Sequence, residues 1–196
     1  MNIAQLTYSY QPIKGGGDVY AEQLKKLLEA QGHHVLVYQR ASDMGISIRK
    51  PRIKTLPNPL RAFKRAQFWT QALFIPLTAA QLCRQDILIV HYPLYLLPVF
   101  WHKKTILISH GVTWDDVPKS LRSKIKKIIA KLAFHCADKV VANDSFFFRQ
   151  LGIDLKPMER MFQEILPGRW FIPNCVDTNF FYPMEGLNEL KKLNTI

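Results

Sequence analysis

Cysteine is scarce in this chain, and long hydrophobic runs are missing. The three cysteines, Cys83, Cys136 and Cys175, lie far apart and form no CxxC pair. This spacing indicates neither a zinc site nor a disulfide framework, and it fits a reducing cytoplasm. We see no uncharged apolar stretch of about 18 residues and no signal peptide. We therefore expect a cytoplasmic protein, at most peripheral on the inner face of the membrane.

Acidic residues are absent between Asp43 and Asp86. The net charge is +12 over 196 residues, which indicates an anionic partner: nucleic acid, anionic lipid or a phosphorylated substrate. Aromatic residues stand among the basic ones of this interval, so an anionic membrane surface is as good an interpretation as a solvated face. The candidate surface residues are Arg49, Lys50, Arg52, Lys54, Arg61, Lys64, Arg65 and Trp69.

A second basic stretch runs from Lys119 to Lys131. Its apolar residues recur at helical spacing, and they are Leu121, Ile125, Ile128 and Leu132. The pattern predicts an amphipathic helix with a basic outer face. We expect its apolar side to pack on the core.

Three consecutive glycines, Gly15, Gly16 and Gly17, separate an apolar strand near the N-terminus from an amphipathic helix that ends near Ala30. A second apolar strand follows from His34 to Tyr38. Glycines at a helix start let the backbone approach a ligand, and the free N–H groups favour an anion such as phosphate. The alternative is that the glycines only form a tight turn.

Strands and helices continue to alternate along the chain, which predicts a three-layer α/β/α Rossmann-like domain with a mainly parallel sheet. We expect the first strand to be central and a helical piece over Met158–Leu166. Ligands of such sheets bind at the carboxyl ends of the strands. His91, His110 and the segment Asn143 to Ser145 fall there, together with the glycines.

A dinucleotide-binding domain is a poor match. The third glycine of GxGxxG would fall at Tyr20, and the glycines begin about seven residues beyond the strand rather than directly after it. The end of the second strand offers Gln39 and Arg40 instead of an acid for a ribose hydroxyl.

Four ordered segments resemble the retaining family 4 group of GT-B glycosyltransferases. They are GGGDVYAEQLKKLLEAQGHHVLVY, Ser109-His110-Gly111, ADKVVANDS from Ala137, and IPNCVDTNFFYP from Ile172. The resemblance covers essentially the whole chain. Cys175 replaces the usual glycine of the last segment, and Asp18 stands where glutamate is commoner.

The resemblance implies two Rossmann-like domains with a cleft between them. The amino-terminal domain binds the acceptor, and the carboxy-terminal domain holds the nucleotide-sugar. Residues 1–175 correspond to the acceptor domain, and residues 176–196 to the linker that leads into the donor domain. The acidic donor motif of the family does not occur here, so we expect the chain alone to be inactive.

The implied chemistry is transfer of a sugar from a nucleotide diphosphate to a hydroxyl of a glycan or lipid-linked glycan, with retention and without a metal or another cofactor. His110 is the candidate catalytic residue, in contact with the transferred sugar or orienting the acceptor, and the ordinary pKa of its imidazole would allow proton transfer. Gly15, Gly16, Gly17, Asn143 and Ser145 are the candidate substrate-binding and phosphate-binding residues. Capping of the following helix by Asn143, Asp144 and Ser145 is at least as good an interpretation, and His91 is interpreted as structural.

Two alternatives from other functional classes remain open at this point. The domain could be a basic module that binds an anionic membrane or polysaccharide without catalysis. A nucleic-acid binder is suggested only by charge, because no recognised reading motif occurs, and we rank it last.

Overall fold

One mainly parallel sheet organises the fold. The computed structural model describes residues 1–11, 15–40, 52–60, 67–112, 120–153 and 162–174. The strands within these residues are β1 (Asn2–Leu6), β2 (His34–Gln39), β3 (Ile53–Thr55), β4 (Ile87–Val90), β5 (Thr105–Ser109), β6 (Lys139–Ala142), β7 (Gln163–Leu166) and β8 (Arg169–Phe171). Their order is β3-β2-β1-β4-β5-β6-β8-β7, and only the β7–β8 pairing is antiparallel. The expected α/β sheet with an interior first strand is confirmed.

Helices cover both faces of this sheet. They are α1 (Gly16–Ala30), α2 (Gln67–Phe74), α3 (Ala79–Leu82), α4 (Pro93–Leu96), α5 (Leu121–Cys136) and α6 (Ser145–Gln150), with 3-10 helices at Ile75–Thr78 and Leu97–Val99. On one face, Leu24 and Leu28 of α1 pack against Ile3 and Val35. The core on the other face contains residues of α3 to α6, such as Phe147. The described elements therefore form three layers.

Aspartates at the amino ends of the strands link two pairs of neighbouring strands. The carboxylate Oδ2 of Asp138, just before β6, accepts hydrogen bonds from the Thr105 N–H at 2.6 Å and the Thr105 hydroxyl at 2.9 Å. Asp86, just before β4, accepts one from the Asn2 N–H at 2.7 Å. These bonds fix the amino ends of the paired strands relative to each other. Because the paired strands are parallel and similar in length, their carboxyl ends then lie at one edge of the sheet.

One of the expected elements needs correction, and another lies outside the described residues. Gln163–Leu166 is a strand, whereas we predicted a helix over Met158–Leu166, of which residues 158–161 lie outside the described part. The turn at Pro167 and Gly168 explains this, because it reverses the chain and pairs β7 with β8. The linker predicted at 176–196 also lies outside the described residues.

The apolar residues predicted to hold α5 on the core face solvent instead. Leu121, Ile125, Ile128 and Leu132 are all exposed. The helix packs through Ala130, Ala133 and Phe134, which are buried in the main core. Small alanines let the helix lie close to its neighbours, and the larger aliphatic residues then project outward.

Gly168 offers a stability test of the β7–β8 turn. Its φ is +74°, and an added Cβ would lie 2.9 Å from the Asp138 carbonyl oxygen. We expect Gly168→Ala to lower the free energy of unfolding by about 2 to 3 kcal/mol, because backbone strain and the collision add. Gly152, with φ +83° and nothing within 4 Å of its Cβ position, is the matched control. Gly152→Ala should cost about 1 kcal/mol in urea unfolding, and equal losses would contradict the collision.

Candidate functional site

Loops from several strands meet at the carboxyl edge of the sheet. Gly15 is the N-cap of α1, and the helix begins at Gly16. His110 directly follows β5, and a Cβ placed on Gly17 would lie 3.8 Å from its ring atom Cδ2. The structure therefore brings the glycine turn and His110 together, as van der Waals neighbours, at the start of α1.

A second histidine lies against His110. His91 directly follows β4, and its Nδ1 is 2.9 Å from His110 Nε2. The two rings are parallel, with centroids 5.2 Å apart. Tyr20 of α1 meets the His110 ring edge-on at a centroid distance of 5.0 Å. The loops after two adjacent strands and the first turns of α1 thus share one cluster of rings.

Two amides close the ends of this histidine pair. At the inner end, His91 Nε2 is 3.1 Å from Gln5 Oε1 in β1. At the outer end, Asn143 Nδ2 is 3.4 Å from His110 Nδ1 and donates to Asn174 Oδ1 at 2.7 Å. With these amide orientations the hydrogen bonds run in one direction. Asn143 donates to His110, His110 donates through Nε2 to His91, and His91 donates through Nε2 to Gln5.

The other atom of each terminal amide lacks a hydrogen-bond partner among the described residues. Gln5 Nε2 and Asn143 Oδ1 are both buried without one. If the amides of Gln5, Asn143 and Asn174 all turn over, Gln5 donates to His91, Asn174 donates to Asn143 Oδ1, and Asn143 accepts from His110 Nδ1–H, so the same chain runs in reverse. Both directions need one proton on each ring. The pair is therefore built for two neutral imidazoles.

Burial keeps both rings uncharged. Desolvation, helped by the neighbouring His110, lowers the pKa of His91 to about 3. Desolvation lowers the pKa of His110 to about 4, although the nearby Asp18 opposes the shift. At neutral pH His110 is therefore an uncharged ring that can form hydrogen bonds, and it is not a cation that donates a proton.

A cluster of aromatic side chains beside an arginine lies at the same edge of the sheet. The Arg40 guanidinium stands 4.2 Å above the centre of the Tyr8 ring, and Tyr8 meets Tyr92 edge-on at 5.9 Å. In the first turn of α1, the buried Asp18 accepts a hydrogen bond from the Ser9 hydroxyl at 2.7 Å. Half-buried aromatic faces beside a guanidinium suit a ligand that has an apolar or sugar surface and an anionic group.

The polar residues that follow β6 have different roles. Asn143 is buried and belongs to the histidine cluster. Asp144 is the N-cap of α6, where its carboxylate accepts from the Phe147 N–H at 2.8 Å, and Ser145 is the first residue of that helix. Capping therefore belongs to Asp144, while Asn143 faces the candidate site.

The predicted basic surface is only partly described. Arg49, Lys50, Arg61, Lys64 and Arg65 lie outside the described residues. Arg52 is exposed and forms an ion pair with Glu29 at 2.6 Å. Lys54 is exposed and donates to Gln81 at 3.0 Å, and Trp69 is half-buried. Arg52 and Lys54 lie just before and within β3, and Trp69 lies within α2. Of the helices in the described part of the chain, none is long and apolar enough to cross a bilayer.

Metal-ligating side chains are the last feature of the site to consider. Across the described ranges, no three His, Cys, Asp or Glu side chains come together as metal ligands would. That transfer needs no metal stays a prediction.

Comparison with known families adds to this geometry. The sequence profile described as "Glycosyltransferase Family 4" matches residues 14–154. The chain belongs to glycosyltransferase family 4. The match includes the glycine turn, both histidines of the pair and the Asn143 to Ser145 segment. No curated protein matches the chain.

Solved structures share the fold. A sucrose-phosphate synthase (tll1590) from Thermosynechococcus elongatus is 14% identical, with a TM-score of 0.59, over 98% of this chain and 97% of that one. Anabaena Alr3699/HepE, solved in complex with UDP and glucose, is 16% identical, also with a TM-score of 0.59. That match covers 98% of this family 4 chain but 50% of HepE, so the chain spans half of that protein's length. At these identities the likeness concerns the fold.

Sequence reasoning missed part of the site in this family 4 chain. His91, which we interpret as structural, is buried and is the direct hydrogen-bond partner of His110, a contact that the sequence did not indicate. Gln5 was not considered, although a polar residue inside the apolar run of β1 is an unusual choice that needs a buried partner. In the sequence, Arg40 was informative only as an argument against a dinucleotide-binding site. Each of these residues lies in or just after a parallel strand, and that position was the available signal.

The histidine pair predicts acid sensitivity. The unfolded chain binds protons at its histidines below pH 6.5, whereas folded His91 stays neutral down to about 3. Folding stability is therefore present above pH 6.5 and is lost as the pH falls. Between pH 7.5 and 5, His91 alone should cost about 2 kcal/mol. We expect His91→Gln to reduce this pH-dependent loss in urea unfolding, whatever its effect at pH 7.5.

His135, exposed at the end of α5, supplies the control. His135→Gln should leave the pH-dependent loss as in the parent chain. A loss in His91→Gln that equals the parent's would show that folded His91 does not resist protonation.

Proposed function

We propose that this chain is the acceptor-side half of a retaining glycosyltransferase. It would act with a donor half to move a sugar from a nucleotide-sugar to a hydroxyl of a glycan or lipid-linked glycan. Membership of family 4 supports a glycosyltransferase role. The observation that carries the proposal is the contact between the glycine turn at the start of α1 and the buried His110–His91 pair.

The glycine turn would face the diphosphate of the donor. The N-terminus of the 15-residue helix α1 carries free N–H groups and a partial positive charge. Nothing lies within 4 Å of a Cβ position at Gly15 or Gly16 among the described residues, so the backbone is open to a ligand there. The leaving group gains negative charge as the sugar departs, and such N–H groups would stabilise it.

His110 would contact the sugar or the acceptor hydroxyl through Nδ1. Its Nε2 is held by His91 at 2.9 Å, whereas the Asn143 contact at Nδ1 is 3.4 Å long and therefore weak. A substrate hydroxyl can replace that contact with little loss. Since the ring is neutral, it can accept a hydrogen bond or donate one according to the direction of the chain through His91.

Arg40, Tyr8 and Tyr92 would form the acceptor wall. The guanidinium over the Tyr8 ring would attract the phosphate of a lipid-linked acceptor, and the aromatic faces would support its sugar. Ser145 and Asn143 would border the same opening. The nucleotide would be held mainly by a donor domain such as the resemblance implies, without a metal.

The catalytic proposal is tested on His110 in the complete protein. We expect His110→Ala to lower sugar transfer at least about 100-fold, as loss of a positioned proton or hydrogen-bond partner commonly does. The assay uses a panel of nucleotide-sugars with glycan and lipid-linked acceptors. His135→Ala, at an exposed position on α5, is the matched control. Unchanged turnover in a folded His110→Ala protein would restrict His110 to a structural role.

A second test concerns the chain Met1–Ile196 by itself. We expect it to bind nucleotide-sugars no more tightly than about 1 mM, or −4 kcal/mol, because the glycine turn alone offers few contacts to the diphosphate. It should also transfer no sugar, since the donor is not held in line with the acceptor. Titration calorimetry measures the affinity. Micromolar binding would show that the donor site lies in this half.

A further inference from the structure

The outward side of α5 is an apolar stripe. Leu121, Ile125, Ile128 and Leu132 are 74%, 40%, 58% and 49% exposed. Their spacing of four, three and four residues places them on one side of the helix. Single exposed aliphatic residues are ordinary on a protein surface, but four in a row along one helix mark a contact surface.

Lysines border this stripe, and no acid accompanies them. Lys124 and Lys131 are exposed on the same side of α5, and Lys127 is half-buried. Residues 120–137 contain no Asp or Glu. The α5 face, defined here as the four aliphatic residues with Lys124 and Lys131, is thus apolar along its centre and positive along one border.

The same side of the sheet carries more exposed apolar residues. Phe100, 59% exposed, follows the 3-10 helix Leu97–Val99, which packs against α5. Lys103 and Lys104, which are also exposed, come next along the chain. Apolar and cationic residues are therefore also exposed in the segment that follows this 3-10 helix.

We propose that the α5 face docks on the surface of an anionic phospholipid bilayer. The helix lies in the plane of the headgroups, its four aliphatic side chains enter the acyl boundary, and Lys124 and Lys131 contact headgroup phosphates. A bilayer surface supplies apolar and anionic groups together over the area of a helix, which matches this face. A second copy of the same face offers no Asp or Glu to these lysines, and with antiparallel helices it would bring lysines against lysines, so charge favours the bilayer over self-association.

This surface is distinct from the candidate site and from the Arg49 to Trp69 stretch. The helix α5 runs between the carboxyl end of β5 and the amino end of β6, so its start lies at the edge that carries His110. Docking through α5 leaves that edge uncovered. The proposal does not depend on sugar transfer, and its test uses no nucleotide.

Vesicle sedimentation tests the docking with the full chain. Phosphatidylcholine vesicles are compared with vesicles that also contain phosphatidylglycerol. Ile125→Gln/Ile128→Gln should weaken binding to the anionic vesicles at least about tenfold, because two aliphatic contacts are lost. The control is Val19→Gln/Leu27→Gln on α1, where the parent residues are 45% and 65% exposed on the opposite face of the sheet. It should bind like the parent chain.

The cationic border has a separate variant. Lys124→Gln/Lys131→Gln keeps the stripe and should lose about fivefold in binding per lysine, only on vesicles that contain phosphatidylglycerol. High salt should reduce the parent's binding toward that of this variant. Equal binding of the parent, the Ile125→Gln/Ile128→Gln variant and the lysine variant would overturn the proposal, as would a parent chain that does not bind.

A fluorescent label reports which side meets the bilayer. The three native cysteines are replaced by serine, and an environment-sensitive dye is attached through Ile128→Cys or, as control, Leu27→Cys. Anionic vesicles should shift the emission to the blue only for the label at 128. The proposal fails if the dye reacts much more slowly at 128 than at 27 in the complete protein, because another part of the protein then covers α5. It also fails if the α5 face forms a dimer that vesicles do not dissociate.

Discussion

Parallel pairing of the central strands is the constraint on which the rest of this structure depends. Strands that run the same way finish at the same edge, and here Leu6 stands beside Val90 and Ser109 beside Ala142. The residues that follow these strands are therefore brought together, although 84 positions of sequence separate the first pair and 33 the second. A polar cluster can form there because the strands behind it are apolar on both faces and supply the stability.

The histidine pair shows how a buried polar cluster is made tolerable. Two imidazoles could not both be charged at 2.9 Å without a large desolvation cost and mutual repulsion. Each ring instead stays neutral and uses one N–H, and the amides of Gln5 and Asn143 complete the chain at its ends. The surplus amide atoms leave two directions open, so the protein holds the ring positions more firmly than the proton positions.

Where the histidine pair buries polar groups, the α5 face leaves apolar groups exposed. The helix could have buried its four large aliphatic residues, and it packs through alanines and Phe134 instead. Each of these partly exposed aliphatic side chains forgoes a part of the about 1.5 to 3 kcal/mol that full burial would contribute. We explain this lost burial energy by the contact that we propose between the α5 face and a bilayer surface. The candidate site on the sheet edge and the α5 face then serve different partners from one layer architecture.

The sequence by itself determined the layer architecture, because runs such as Ile87–Val90 and Ile106–Ile108 are apolar throughout and alternate with segments of helical periodicity. It also located His110 and the glycine turn at one edge. It did not determine that His91 and Gln5 complete the cluster, since a contact between side chains depends on register and rotamers. Nor did periodicity decide which side of α5 faces the core: a stripe of aliphatic residues gives an angle around the helix axis, and only the packing of Ala130, Ala133 and Phe134 selects the side that is buried.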